Sequence, residues 1–186
     1  IPQFEKSFLL PKYWGAWVGV GTMVAMAYLP VRLRDPILAT VGRWAGKLAG
    51  GARRRARINL LYCFPELTEA QREDIIDRMF ERAGQSMFLM AELTLRDPQR
   101  VLKRTRWHGM EHIEALRESG KNAIFLVPHG WAVDIPAMLL AAQGQPMAAM
   151  FHNQKNKMVD WLWNTCRRRF GGRMHARDDG INPFIS

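Results

Sequence analysis

No charge interrupts the chain from Tyr13 to Val31, a run of 19 residues. A bilayer core is spanned by about 20 apolar residues in a helix, so the run is expected to form a membrane anchor. Trp14, Trp17 and Tyr28 sit toward its ends, as interfacial aromatics do. Lys6 and Lys12 precede it, while Arg32, Arg34 and a longer basic stretch follow. That charge bias puts the remainder of the chain on the cytoplasmic side. Other readings are a helix lying in the interface, a cleaved signal segment ending at Ala25-Met26-Ala27, or a core helix. The arginines directly after the run argue against translocation.

A second apolar and basic stretch runs from Ile37 to Leu61, and Phe64-Pro65-Glu66-Leu67 breaks it. Thr68 followed by Gln71 is a capping box. The helix it opens carries Ile75, Ile76, Met79, Phe80, Ala83, Met87, Met90 and Ala91 on one face at helical spacing, and Asp97-Pro98 ends it near Leu95. From Arg104 the pattern changes. Trp107 falls in a short predicted strand, and a helix is predicted over Met110 to Ser119, closed by Gly120. Ala123 to Val127 is continuously apolar, as in a strand buried on both faces. A helix from Trp131 to Ala142, a second buried strand from Met147 to Phe151 and a helix from Met158 to Phe170 complete the order. Strand, helix, strand, helix implies a parallel sheet.

The reading is therefore α/β, a mixed or parallel sheet with flanking helices behind an N-terminal membrane-attached helix. Three regions divide it: an anchor over 1–35, a basic amphipathic helical region over 36–103, and the first part of an α/β core over 104–186. The chain starts at Ile1 without Met and stops at Ser186 in a segment that reads as mid-fold. Both ends are expected to be cut, the C-terminal one within the core.

Composition sharpens this. With 48% hydrophobic and 24% charged residues the chain folds rather than staying disordered. Its formal charge of +10 draws the phosphates of nucleic acid or anionic lipid, or an acidic protein partner. No acid occurs from Pro36 to Pro65, where Arg43, Lys47, Arg53, Arg54, Arg55 and Arg57 lie, so these cations lack local partners. A second acid-free window runs from Ile135 to Val159, and Arg167, Arg168 and Arg169 follow soon after. Two cysteines, Cys63 and Cys166, form no disulfide framework and suit a reducing compartment.

The candidate chemistry centres on His129. It follows a predicted strand and opens a helix, where α/β sheets place ligand groups. Asp134 lies five residues on and can return to the imidazole, fixing its tautomer and stabilising its charged form. His129 then serves as general base toward a hydroxyl. Phe125, Leu126, Val127 and Trp131 supply an apolar wall, and Gly130 lets a substrate approach. A serine hydrolase is hard to build, because none of Ser7, Ser86, Ser119 and Ser186 sits in a G-x-S-x-G turn. His108-Gly109-Met110-Glu111-His112 matches a zinc pattern in letters, but Gly109 puts His108 before the helix, so no metal site is expected. Cys166 beside Arg167 reads as packing rather than as a reactive thiolate.

Val127-Pro128-His129-Gly130-Trp131-Ala132-Val133-Asp134 resembles the H-x4-D motif of glycerolipid acyltransferases, and more closely that of the lipid A late acyltransferase family of Gram-negative bacteria. Residues 52–68, 156–162 and 175–180 also look like segments of that family. The resemblance implies an acyl carrier protein thioester as donor and a hydroxyl of a 3-hydroxyacyl chain on a phosphorylated lipid A precursor as acceptor. It implies His129 and Asp134 as catalytic residues, with no metal, no cofactor and no covalent acyl-enzyme. Arg177 and Asn156 match polar positions that hold the oxyanion or a phosphate. His152 stands where relatives have an Arg. The implied place is the cytoplasmic face of the bacterial inner membrane. The rival reading is a basic scaffold at a membrane surface or on nucleic acid, which gives His129 no role; under the enzyme reading no nucleic acid is bound.

Overall fold

Backbone propensity, caps and breakers divide the chain into eight α-helices and two short strands in a computed structural model that describes residues 3–177 and 180. Two short 3-10 turns, Lys6–Leu9 and Pro11–Tyr13, lead into α1, Trp14–Tyr28. Leu29 is extended, Pro30 follows, and α2, Val31–Leu48, begins. The uncharged run therefore yields 15 helical residues, which at 1.5 Å each give about 22 Å, short of the roughly 30 Å of a bilayer core. Among the described residues no helix is long and apolar enough to cross a membrane, which corrects the expected transmembrane anchor.

One side of α1 is committed to protein. Ala27 is buried, the Arg96 guanidinium donates to the Ala27 carbonyl at 3.2 Å, and the Trp17 indole donates to the Phe8 carbonyl at 2.8 Å. Phe8 is buried among Phe4, Tyr13 and Trp161, which ties the N-terminal turns to the far end of the chain.

The stretch from Ile37 to Leu61 is two helices, α2 and α3, Gly50–Cys63, divided at Ala49. The predicted capping box is present: Gln71 N donates to Thr68 Oγ1 at 3.3 Å and Thr68 N to Gln71 Oε1 at 2.8 Å. It opens α4, Glu69–Leu95, the spine on which α1, α2 and α3 all pack. Contact with α2 is close because glycines meet backbone: a Cβ at Gly84 would lie 2.5 Å from the Leu38 carbonyl oxygen. Three of the arginines without local partners find acids across this interface. Arg53 pairs with Glu73 and Asp77, both at 2.6 Å, and Arg57 with Glu73 and Arg43 with Glu81.

Beyond Pro98 come α5, Gln99–Leu102, α6, Met110–Glu118, α7, Asp134–Ala142, β1, Ala148–Phe151, α8, Lys157–Arg167, and β2, Arg173–Ala176. Trp107 is loop, not strand, and packs on the core. That core joins Met90 and Leu93 of α4, Val101 of α5 and Ile135, Met138 and Leu139 of α7. β1 and β2 pair in parallel, Ala148 with Arg173 through Phe151 with Ala176, as strand-helix-strand order requires. Two predicted burials differ. β1 alternates exposed and half-buried positions. Residues 123–127 form no ladder, and Ile124 and Leu126 are 99% exposed. A continuous apolar run is buried only where elements cover both faces, and no described residue pairs with this one.

Candidate functional site

The structure sets His129 and Asp134 on different kinds of backbone. His129 is exposed near the end of segment 121–130, which forms neither helix nor strand. Gly130 N bonds back to the Pro128 carbonyl at 2.8 Å, and residues 131–133 turn before α7 begins. The helix predicted from Trp131 thus starts three residues later. Asp134 is its first residue, where a carboxylate faces the positive end of the helix dipole.

Asp134 is held by Arg167, the last residue of α8. Arg167 Nε donates to Oδ1 at 2.9 Å and Nη2 to Oδ2 at 3.0 Å, a fork-on-fork pair. The side chains are 13% and 25% exposed, so the pair is partly shielded yet open on one side. The guanidinium also lies 5.9 Å from the centre of the Phe151 ring at the end of β1. Packing fixes both helices beneath the pair. Ile135, Met138 and Leu139 enter the core, and Trp163, Cys166 and Phe170 pack against it. No hydrogen bond joins His129 to Asp134, and among the described residues His129 has no hydrogen-bond partner.

Of the other candidates, Gly130 is open, since a Cβ there would meet nothing within 4 Å, and Trp131 is exposed beside it. Asn156 caps α8: its side-chain oxygen accepts from Met158 N at 3.0 Å and Val159 N at 3.2 Å. Buried Asp160 accepts from Gln154 N at 2.7 Å and shapes the loop that carries His152 and Asn156. Arg177 is exposed just beyond β2. Asn156 follows β1 and Arg177 follows β2 in the chain, and among the described residues no hydrogen bond joins either to His129. Burial pushes the Cys166 thiol up, against the hydrogen bond of Thr94 and the charge of Arg167, which suits packing and not a thiolate. His108 precedes α6, with Gly109 as its left-handed N-cap at φ 77°. The described residues hold no group of three or more His, Cys, Asp or Glu fit for a metal.

Sequence reasoning missed Arg167 as the partner of Asp134. The two are 33 positions apart, and the only signal was an arginine triplet ending an amphipathic helix just beyond an acid-free window.

The family model for bacterial lipid A biosynthesis acyltransferase matches residues 1–186. The chain is 60% identical over 185 residues to the lipid A biosynthesis myristoyltransferase of Escherichia coli (strain K12), matching all of this chain and 57% of that relative. It is 47% identical to a lipid A biosynthesis acyltransferase of Haemophilus influenzae, over 99% of this chain and 58% of the relative. It is 29% identical to the E. coli K12 lipid A biosynthesis lauroyltransferase, over 96% and 58%. The chain therefore spans little more than half the length of these curated relatives. No solved structure matches it.

Proposed function

Because the chain belongs to the bacterial lipid A biosynthesis acyltransferase family, we propose that it carries the reacting residues of an enzyme that moves a fatty acyl chain onto a lipid A precursor in lipopolysaccharide synthesis. The donor is an acyl carrier protein thioester, and the acceptor is the hydroxyl of a 3-hydroxyacyl chain. The 60% identity to a myristoyltransferase favours a myristoyl chain. The observation that carries the reading is the match over residues 1–186, which includes the His129-to-Asp134 motif.

In this reading His129 takes the proton of the acceptor hydroxyl through one ring nitrogen. The alkoxide oxygen attacks the thioester carbonyl and forms a tetrahedral oxyanion. Its collapse breaks the carbon–sulfur bond, and the thiolate leaves with the proton from the imidazolium. Asp134 orients the imidazole through the lone pairs that Arg167 leaves open, since a carboxylate offers about four acceptor sites and the fork uses two. Arg177 and Asn156 serve the oxyanion or the acceptor's phosphates, and Gly130 and Trp131 border the acyl path. The net charge of +10 speeds encounter with an acidic carrier protein. The enzyme works at the cytoplasmic face of the inner membrane, with α1 attached at the interface.

The test is acyl transfer by the complete protein in detergent, with carrier-protein thioester and lipid A precursor, for wild type and His129→Ala. General-base catalysis contributes about 100- to 10,000-fold, and a loss of that size with unchanged thermal unfolding is expected. Undiminished transfer by His129→Ala would falsify the mechanism. Asp134→Asn is expected to cost less, since it only mis-sets the base.

A further inference from the structure

Helix α2 has three sides. Arg34, Leu38, Gly42 and Gly46 are buried, with Gly42 and Gly46 against Phe80 of α4. A second side carries Leu33, Ile37, Val41, Trp44 and Leu48, each 46–67% exposed. At 100° per residue these five fall within about 80° of one another, a continuous apolar stripe along a helix about 27 Å long. The third side, next to the stripe, holds Arg32, Arg43 and Lys47. Arg43 is taken by Glu81. Arg32 and Lys47, like Arg54 and Arg55 of α3, pair with no acid among the described residues. Asp35 is the only acid from 31 to 64, and Arg34 holds it at 3.0 Å.

These features select an occupant. Nucleic acid would use the cations and leave five large apolar side chains in water. A second copy of this chain would set like charge against like. A lipid interface takes both at once, apolar side chains among the acyl chains and cations at the phosphates, with Trp44 at the depth aromatics favour. We propose that α2 lies in the plane of an anionic lipid surface, its Leu33-to-Leu48 stripe inserted and Arg32, Lys47, Arg54 and Arg55 on the headgroups. This surface is separate from α1 and does not depend on the reaction the protein performs.

The complete protein is mixed with phosphatidylcholine vesicles made with or without phosphatidylglycerol, and bound protein is measured by sedimentation. Wild type is expected to bind the anionic vesicles, and less so as salt rises. Val41→Asp with Trp44→Asp, and separately Lys47→Glu with Arg54→Glu, are each expected to weaken that binding about tenfold or more. All four positions are exposed, so thermal unfolding stays at the wild-type value. A fluorophore on Val41→Cys, with Cys63→Ser, is expected to shift to an apolar environment only when anionic vesicles are added. Full binding by both double variants overturns the proposal, as does a fluorophore already shielded without lipid, which would show another part of the protein on the stripe. Transfer in detergent by Val41→Asp/Trp44→Asp is expected at the wild-type rate; its loss would also overturn the assignment, because the stripe would then belong to the site.

Discussion

Glu92 of α4 is 2% exposed and carries two cations. Arg34 Nη1 donates to one oxygen at 2.6 Å and Arg104 Nη2 to the other at 2.7 Å. Arg34 is as deeply buried, and its remaining acidic contact is Asp35, whereas Arg104 reaches water. Glu92→Gln keeps the shape but removes the charge that Arg34 was desolvated to meet. Breaking a buried pair from one side costs about 3–5 kcal/mol. Gln retains one acceptor oxygen, so the lower end, about 3 kcal/mol, is expected. For a chain of this size each kcal/mol moves the melting temperature by about 2–4 °C, giving a fall of about 6–12 °C.

Thermal unfolding followed by circular dichroism measures this directly. Arg104→Gln is expected to cost less, about 0.5–1.5 kcal/mol, because its partner remains paired by Arg34. The apolar replacement Arg34→Met with Glu92→Leu is expected to recover most of the loss, since removing both charges removes the desolvation as well. The sign with pH is fixed. Burial pushes the Glu92 carboxyl up, but the hydrogen bonds of Arg104 and Arg34 outweigh it and hold it below the ordinary range. The stabilisation is therefore complete above the unfolded-state value and is lost as pH falls through the lower folded one. A Glu92→Gln protein that melts with wild type would refute the argument, and so would an apolar double variant no more stable than the single one.

Arg167→Ala is expected to lower kcat about 10- to 150-fold, the equivalent of about 1.5–3 kcal/mol for charge-assisted bonds to Asp134, with Arg167→Lys falling between it and wild type; a kcat unchanged in Arg167→Ala removes the clamp from the site. The Arg57 hydrogen bond, opposed by burial and joined by that of Arg53, holds Glu73 at about 2 against an ordinary 4.5. Its contribution is then present above about 4.5 and lost between there and about 2, so acid unfolding of Arg57→Ala is expected to begin at higher pH than in wild type. Gly84→Ala gains up to about 1 kcal/mol of helix propensity but drives a methyl against the Leu38 carbonyl, for a net loss of about 1–2 kcal/mol in chemical denaturation. Gly15→Ala, with nothing within 4 Å, is expected to stabilise instead, and the two signs together check the packing argument.

What could be read from the chain was what local chemistry decides. Thr68 and Gln71 marked the start of α4, Asp97-Pro98 its end, and helical spacing most of its inward face, although Met87, expected on it, is exposed. The α7, β1, α8 order followed from apolar runs and glycine stops. What failed depended on distant parts. The run from Tyr13 to Val31 has the composition of a span, but Leu29 and Pro30 end the helix and α4 takes one of its sides. Arg43, Arg53 and Arg57 seemed unpartnered because their acids lie 16 to 38 positions away. β2 is four residues, Arg173 to Ala176, whose polar and apolar positions alternate too briefly to mark a strand, and its pairing with β1 is what defines it. At the site, the spacing of His129 and Asp134 was legible as a motif, but the structure does not join the two, and the arginine that holds Asp134 was not legible.

The uneven hold on the two motif residues has a thermodynamic consequence. Asp134 is positioned before any substrate arrives, by a helix, a packed core and a forked ion pair. His129 stands near the end of ten residues that form neither helix nor strand and whose backbone makes almost no hydrogen bonds among the described residues. Fixing a residue's backbone costs about 1–2 kcal/mol, so under the proposed mechanism aligning even the few residues around the imidazole opposes the rate as entropy. Anything that orders this segment beforehand, whether a paired strand or a bound acceptor, would raise the fraction of molecules ready to react without adding a contact to the reacting atoms.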